Sequence, residues 1–203
     1  ITFAAKIDLP LISGNAPVDV DAGDFDRDGK LDLVVSYSTG SLISVFRNTS
    51  SMGFISFGAR QDINVTAIFS VLPVEVRDLD LDGFADIIYG YPSNSFSVLR
   101  STSTPGTITF AAAVSFAVTA TVYSIATGDL DNDNKPEIVV GLGNSTARIY
   151  RNVTTVGVIN SGSFTLGHTL TGLWSVQSIA LSDLDGETGT DMAIGYAANN
   201  YSL

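Results

Sequence analysis

Apolar and polar residues alternate along this chain in short bursts separated by turn residues. PVDVDAGDF from Pro17, PVEVRDL from Pro73, VYSIATGDL from Val122 and VQSIALSDL from Val176 each set Val, Ile or Ala between small or polar residues, a period of two that predicts a strand. Each runs into an acidic loop. A strand leaves each loop in DLVVSY, DIIYGY, EIVVGL and DMAIGY, and another follows in LISVFRN, FSVLRST and ARIYRNV. An outer strand is predicted to begin each repeat, with ITF at Ile1, ISF at Ile55, ITF at Ile108 and SFT at Ser163. No segment carries an apolar stripe at helical period. The expectation is an all-β chain with four short antiparallel strands per repeat and Gly, Ser and Asn in the turns. Such repeats suit a β-propeller, whose four-stranded blades pack face to face.

The loops set the register. GDFDRDGKLDLVV, RDLDLDGFADIIYG, GDLDNDNKPEIVVG and SDLDGETGTDMAIG have their first aspartates at Asp24, Asp78, Asp129 and Asp183, at steps of 54, 51 and 54 residues. A period of about 50 built from short strands marks a repeat architecture. The repeats fall at about 1–54, 55–107, 108–161 and 162–203, within one module spanning 1–203, the last repeat being incomplete. The uncharged run 108–127 reaches the length of a membrane span. Recurrent Thr and Ser, and a Phe110 in phase with the other repeats, make it two strands and a turn instead.

Carboxylates at positions 1, 3 and 5 of a tight loop, a left-handed residue at 6, a backbone carbonyl at 7 and an acid at 9 are the chemistry of a calcium loop. The first copy offers Asp24, Asp26, Asp28, the carbonyl of Lys30, and Asp32; the second offers Asp78, Asp80, Asp82, the carbonyl of Phe84, and Asp86. The third offers Asp129, Asp131, Asp133, Lys135 and Glu137, with Asn134 in place of Gly29 and Gly83; Asn tolerates the left-handed region. The fourth offers Asp183, Asp185, Glu187, Gly189 and Asp191, with a β-branched Thr188 at the turn, and is the weakest. Three to four Ca²⁺ ions are expected.

Charge agrees with this picture. The formal net charge is −11, and the four loops hold sixteen of the twenty-one acids. Four divalent cations would bring the chain to about −3, so the acidity is local and does not call for a basic partner. Nucleic acid, which requires clustered Lys and Arg, is not an expected partner. The absence of cysteine excludes a disulfide framework, a thiolate zinc site and a thiol nucleophile. Loops of this kind fill where calcium is millimolar, which points outside the cell or to its surface. Asn48, Asn64, Asn144, Asn152 and Asn200 stand in N-glycosylation sequons. The chain opens at Ile1 without Met or a charged leader, so no signal peptide is expected within it.

The loop run with its preceding strand and aromatic-initiated outer strand resembles the FG-GAP/VCBS repeat, over nearly the whole chain. That repeat forms the blades of integrin α-subunit propellers and of many secreted proteins, typically seven blades to a ring. The resemblance implies Ca²⁺ in the loop joining the first and second strands of each blade. It leaves three arrangements open: part of a larger ring, a closed four-bladed ring, or strand exchange linking subunits into a filament. In the last two, the strand Ile1–Leu9 would pair with the one ending at Leu203.

An enzyme is not expected. The single histidine, His168, falls in a predicted outer strand, and the carboxylate groups all have metal-loop spacing. The expectation is an extracellular, calcium-stabilised structural or adhesive module that binds a protein or glycan or self-associates. The alternatives are a lectin, with Trp174, Tyr89, Tyr91 or Tyr196 stacking on sugar rings, and the scaffold domain of a secreted polysaccharide-degrading enzyme.

Overall fold

The computed structural model describes residues 5–65, 73–187 and 189–197. Every regular element among them is a strand. Sheet 1 is β1 (Pro17–Gly23), β2 (Asp32–Tyr37), β3 (Leu42–Phe46) and β4 (Gln61–Asn64), hydrogen-bonded in that order. Sheet 2 is β5 (Val74–Arg77), β6 (Asp86–Tyr91), β7 (Ser95–Leu99) and β8 (Val114–Ala117). Sheet 3 is β9 (Val122–Gly128), β10 (Glu137–Leu142), β11 (Thr146–Asn152) and β12 (Phe164–Leu170). Sheet 4 contributes β13 (Ser175–Ser182) and β14 (Asp191–Ala197). All neighbours are antiparallel.

The sheets stack as an arc with an apolar layer between each pair. Val34, Ile43 and Val45 of sheet 1 meet Val74, Ile87, Tyr89 and Tyr91 of sheet 2. Ile88, Phe96, Val98 and Phe116 meet Val122, Ile125, Ile138, Val140 and Phe164 of sheet 3. Ala126 and Val139 meet Val176 and Ile179 of sheet 4. Covering on both sides explains why all six residues of β6 and of β10 are buried, although a strand in a one-sided sheet would alternate. Phe96 stacks on Phe116 at 5.0 Å, and Phe116 meets the edge of Phe164 at 5.4 Å, tying sheets 2 and 3.

The hydrogen-bonded sheets are offset from the sequence repeats. The predicted outer strand of one repeat is the fourth strand of the sheet before it. In two repeats it also begins later than expected: β4 starts at Gln61 and β8 at Val114, not at Ile55 and Ile108. The ISF and ITF runs instead form the returning arm of a hairpin that projects beyond the sheet. There Phe57 and Phe110 make single bridges to Asn48 and Ser101, near turns at Ser51–Phe54 and Thr104–Thr107. SFT from Ser163 does lead directly into β12.

The expected first strand is corrected in part: residues 5–9 are not in a strand, and Leu9, Leu11 and Ile12 lie as side-chain cover on Val35, Tyr37 and Phe46. Residues 1–4 and 198–203 lie outside the described residues, and with them the pairing expected between the two ends. Run 108–127 is the end of a hairpin arm, β8, a turn and the larger part of β9, and no helix among the described residues is long and apolar enough to cross a membrane. Tyr89 and Tyr91 are buried between sheets 1 and 2, whereas Trp174 and Tyr196 are about half exposed, and His168 is exposed on β12.

Candidate metal centres

The four acidic loops join the first and second strands of the four sheets. In each, three carboxylates bring an oxygen within 4.8 Å of one another: Asp24, Asp26 and Asp32; Asp78, Asp80 and Asp86; Asp129, Asp131 and Glu137; Asp183, Asp185 and Asp191. These are positions 1, 3 and 9. Two left-handed residues curl the first three loops. Position 6 carries φ 84° at Gly29, 88° at Gly83 and 67° at Asn134, so the Asn substitution is accommodated. Position 4, which sequence reasoning passed over, is also left-handed, at Arg27, Leu81 and Asn132 and, in the fourth loop, at Gly186. Thr188 lies outside the described residues.

Position 9 braces each loop. Asp32 accepts from the backbone N–H of Phe25 at 3.0 Å and of Asn48 at 2.8 Å; Asp86 does the same for Leu79 and Ser101, and Glu137 for Leu130 and Asn152. In the fourth loop Asp191 accepts from Leu184. Position 1 holds the turn: the N–H groups of Gly29, Gly83 and Asn134 donate to Asp24, Asp78 and Asp129 at 2.9 Å.

Position 5 does not join the grouped carboxylates. Asp28, Asp82 and Asp133 accept from the N–H of position 7 (Lys30, Phe84 and Lys135) and face an arginine. Glu187 likewise stays outside its group, its N–H donating to Asp185. Arg47 forks across Asp26 and Asp28 at 2.5 Å each, and Arg100 across Asp80 and Asp82 at 2.6 and 2.5 Å. Arg151 reaches Asp131 at 3.1 Å and Asp133 at 3.9 Å. These arginines were missed as site residues. Their signal is the Arg in VFRN, VLRS and IYRN, where the third strand returns to the mouth of the loop.

The next sheet completes the first two loops. The Gly106 N–H donates to Asp26 Oδ2 at 2.9 Å, and Ser101 Oγ donates to the Phe25 carbonyl. Asn152 Nδ2 and Thr154 Oγ1 donate to the Leu79 carbonyl, and the Gly157 N–H to that of Asp80.

Crowding and burial make these carboxylates poor hosts for their own charge. Burial, reinforced by Asp80 and Asp82, pushes the Asp86 carboxyl up to about 8, against the two N–H groups it accepts from. Asp32, Asp78 and Glu137 are raised for the same leading reason. Asp78 Oδ1 is buried with no hydrogen-bond partner. An all-oxygen set with an orphaned carboxylate oxygen beside further acids fits a hard divalent cation.

The sequons divide by place. Asn48 and Asn152 sit at the loop end, and both amides are committed, Asn48 to the Leu31 carbonyl and Asn152 to those of Leu79 and Pro136. Asn152 is 1% exposed, so its expected glycosylation is corrected: a buried, doubly bonded amide cannot carry a glycan in the folded chain. Asn64 and Asn144 are exposed at the opposite end, and Asn200 lies outside the described residues.

Stacked antiparallel sheets, three of them four-stranded, with an acidic loop at one end define a propeller-like repeat protein, and among the described residues no sheet closes into a ring. Residues 78–140, from the second acidic loop through the third, match the family model of the FG-GAP-like repeat. Two solved structures share the fold. The crystal structure of BBS1N in complex with ARL6DN, soaked with lead, aligns at TM-score 0.56 and 11% identity over 94% of this chain and 50% of that one. The exotype rhamnogalacturonan lyase YesX aligns at TM-score 0.55 and 14% identity over 89% of this chain and 39% of that one. The chain thus spans half the length of the first and about two fifths of the second. No curated protein matches the sequence.

Proposed function

We propose that this chain is a calcium-stabilised β-propeller module of an extracellular or cell-surface protein, working by binding or assembly and not by catalysis. The observation that carries the reading is the fourfold convergence of carboxylates, with the buried, unpartnered Asp78 Oδ1 among them. Bound Ca²⁺ would supply the counter-charge that these crowded groups lack. Asp24, Asp26 and Asp32, and their equivalents in the other loops, would hold it, while the first three loops' arginines take up the carboxylate of position 5 and share that of position 3. The millimolar calcium that such loops need supports a place outside the cell. On this reading the grouped acids serve the metal, and His168 lies exposed on β12.

The test is thermal unfolding with calcium and with EGTA. Each site filled at a hundredfold excess over its Kd adds about 2.7 kcal/mol. Chelation is expected to lower the melting temperature, and calcium to restore it better than magnesium. An unchanged melting temperature would reject the calcium reading.

A further inference from the structure

The three contacts between consecutive sheets share one plan. The first strand of the following sheet lies across the first two strands of the one before: β5 on β1 and β2, β9 on β5 and β6, β13 on β9 and β10. A side chain of the preceding first strand accepts a backbone N–H of the following one. Asp19 accepts from Val74 at 3.0 Å and Asp21 from Val76 at 2.7 Å; Glu75 accepts from Thr127 at 3.2 Å, and Ser124 from Ile179 at 3.0 Å. The apolar residue at this point of the following strand is buried: Val74, Ile125 and Ile179 are 5, 7 and 8% exposed. In sheets 2 and 3 a glycine in the second strand makes room, where sheet 1 has the buried Ser36. A Cβ at Gly90 would stand 2.6 Å from Val122, and one at Gly141 2.4 Å from Val176.

The two outer faces of the arc carry the unfilled halves of this plan. On β1, Val20 holds the place of Val74, Ile125 and Ile179 but is 59% exposed. The N–H groups of Val20 and Ala22 turn instead to the side chains of Asp19 and Asp21 beside them, at 3.0 and 2.8 Å. On β14, Ala193 is exposed where Val34, Ile88 and Val139 are fully buried. Gly195 holds the place of Gly90 and Gly141, yet a Cβ there would meet only Ser178 of its own sheet. Ser178, exposed, holds the place of Ser124, the acceptor for Ile179. Leu9, Leu11 and Ile12 already cover the outer half of the sheet 1 face. Among the described residues, what stays open is the strip along β1, the width that the two-stranded β13–β14 platform receives.

We propose that these faces form a head-to-tail interface between copies of this chain. β1 of one copy lies across β13 and β14 of a second copy, with the Val20 N–H on Ser178 of the second copy and Pro17 over Gly195 of the second copy. The two surfaces are unlike, so the contact is heterologous and builds a ring or a chain of copies. The proposal rests on sheet packing and is independent of the calcium reading.

Light scattering on the calcium-loaded chain, across a range of concentrations, tests it. The expected mass rises above the 21.3 kDa of one chain as concentration rises. Val20→Lys and Gly195→Leu, both at open positions, are each expected to weaken association at least tenfold while leaving the far-UV spectrum unchanged. Mixed, the two variants retain one intact face each and are expected to form a dimer of one copy of each and nothing larger. If Gly195→Leu fails to fold, Ala193→Lys replaces it. A chain that is monomeric at every concentration overturns the proposal. So does a mixture that forms no dimer. A Val20→Lys monomer that melts below a wild-type monomer also overturns it, because the faces would then meet within one chain.

Discussion

Loops one and two differ from loops three and four in what surrounds the same motif. Asp26 and Asp80 are fully buried, gripped by arginine forks and covered by the hairpin of the next sheet. Asp131 is exposed, Arg151 stands off at 3.1 and 3.9 Å, and among the described residues no hairpin of a later sheet covers that loop. The fourth loop is more open still, its Asp183 and Asp185 both exposed. The comparison teaches that a candidate metal loop here is a product of two sheets. The motif supplies the carboxylates; the neighbour sets their burial, and with it the cost of leaving them without a counter-charge.

The largest effect expected from this contrast comes from the arginines. Arg100→Ala strips the buried Asp80 and the partly buried Asp82 of their cation, and breaking a buried pair on one side costs about 3–5 kcal/mol. Arg151→Ala removes an exposed pair, worth less than about 1 kcal/mol. Urea melts in EGTA check this, and equal losses would show that burial does not separate the loops. Added calcium is expected to shrink the Arg100→Ala deficit, because the ion supplies the missing charge.

Calcium affinity should follow the same order. Asp80→Asn and Asp26→Asn are each expected to remove one calorimetrically resolved site, while Asp185→Asn changes only the weakest phase. Titration of each variant with CaCl₂ reads this directly. Loss of a tight site in Asp185→Asn would mean that hairpin cover does not matter.

Much of this was legible in the sequence, and the rest was hidden for physical reasons. The period-two bursts and the loop spacing locate most strands and every acidic cluster, because both depend on residues near in sequence. The fourth strands of sheets 1 and 2 were misplaced because ISF and ITF look apolar enough for a ladder but belong to a projecting hairpin. Arg47, Arg100 and Arg151 were visible as a recurrence, yet their role requires knowing that the third strand ends at the mouth of the loop. Asn152 reads as a sequon, and only the packing of sheet 3 on Leu79 shows it as a buried brace. Val20 and Val74 have nearly the same local sequence, and only a neighbouring sheet makes one buried and the other exposed.

A smaller effect separates a filled interface from an open one. Gly141→Ala places a Cβ 2.4 Å from Val176, an overpacking that costs about 1–3 kcal/mol. Gly195→Ala, whose nearest contact is Ser178 at 3.6 Å, is expected to be close to neutral in the monomer. Thermal melts at low protein concentration decide it, and a loss in both variants would mean that the outer face of sheet 4 is packed.

The smallest effect is a pH dependence seated between sheets 2 and 3. Burial pushes the Glu75 carboxyl up to about 7, with Asp21 adding to the rise, while Thr127, through its hydroxyl and its N–H, and Arg77 oppose it. Unfolded, this group titrates near 4.5. Between those values the native chain holds a proton that the unfolded chain has released, so stability falls as pH rises from about 4.5 to about 7. Asp86 would add a fall of the same sign toward about 8, but only while its loop is metal-free. Saturating calcium therefore leaves Glu75 and Asp21, and the Glu75→Gln comparison singles out Glu75. Glu75→Gln keeps an acceptor for Thr127 and cannot ionise, so its melting temperature is expected to be flatter than that of the wild type between pH 4.5 and 7. Parallel pH profiles for the two proteins in calcium would place the buried charge elsewhere. Ala126 and Ala180 occupy the equivalent places on sheets 3 and 4, so the contact between sheets 3 and 4 has no such titration, while Asp21, its carboxyl raised by burial, holds that place on sheet 1 and adds a fall of the same sign between sheets 1 and 2.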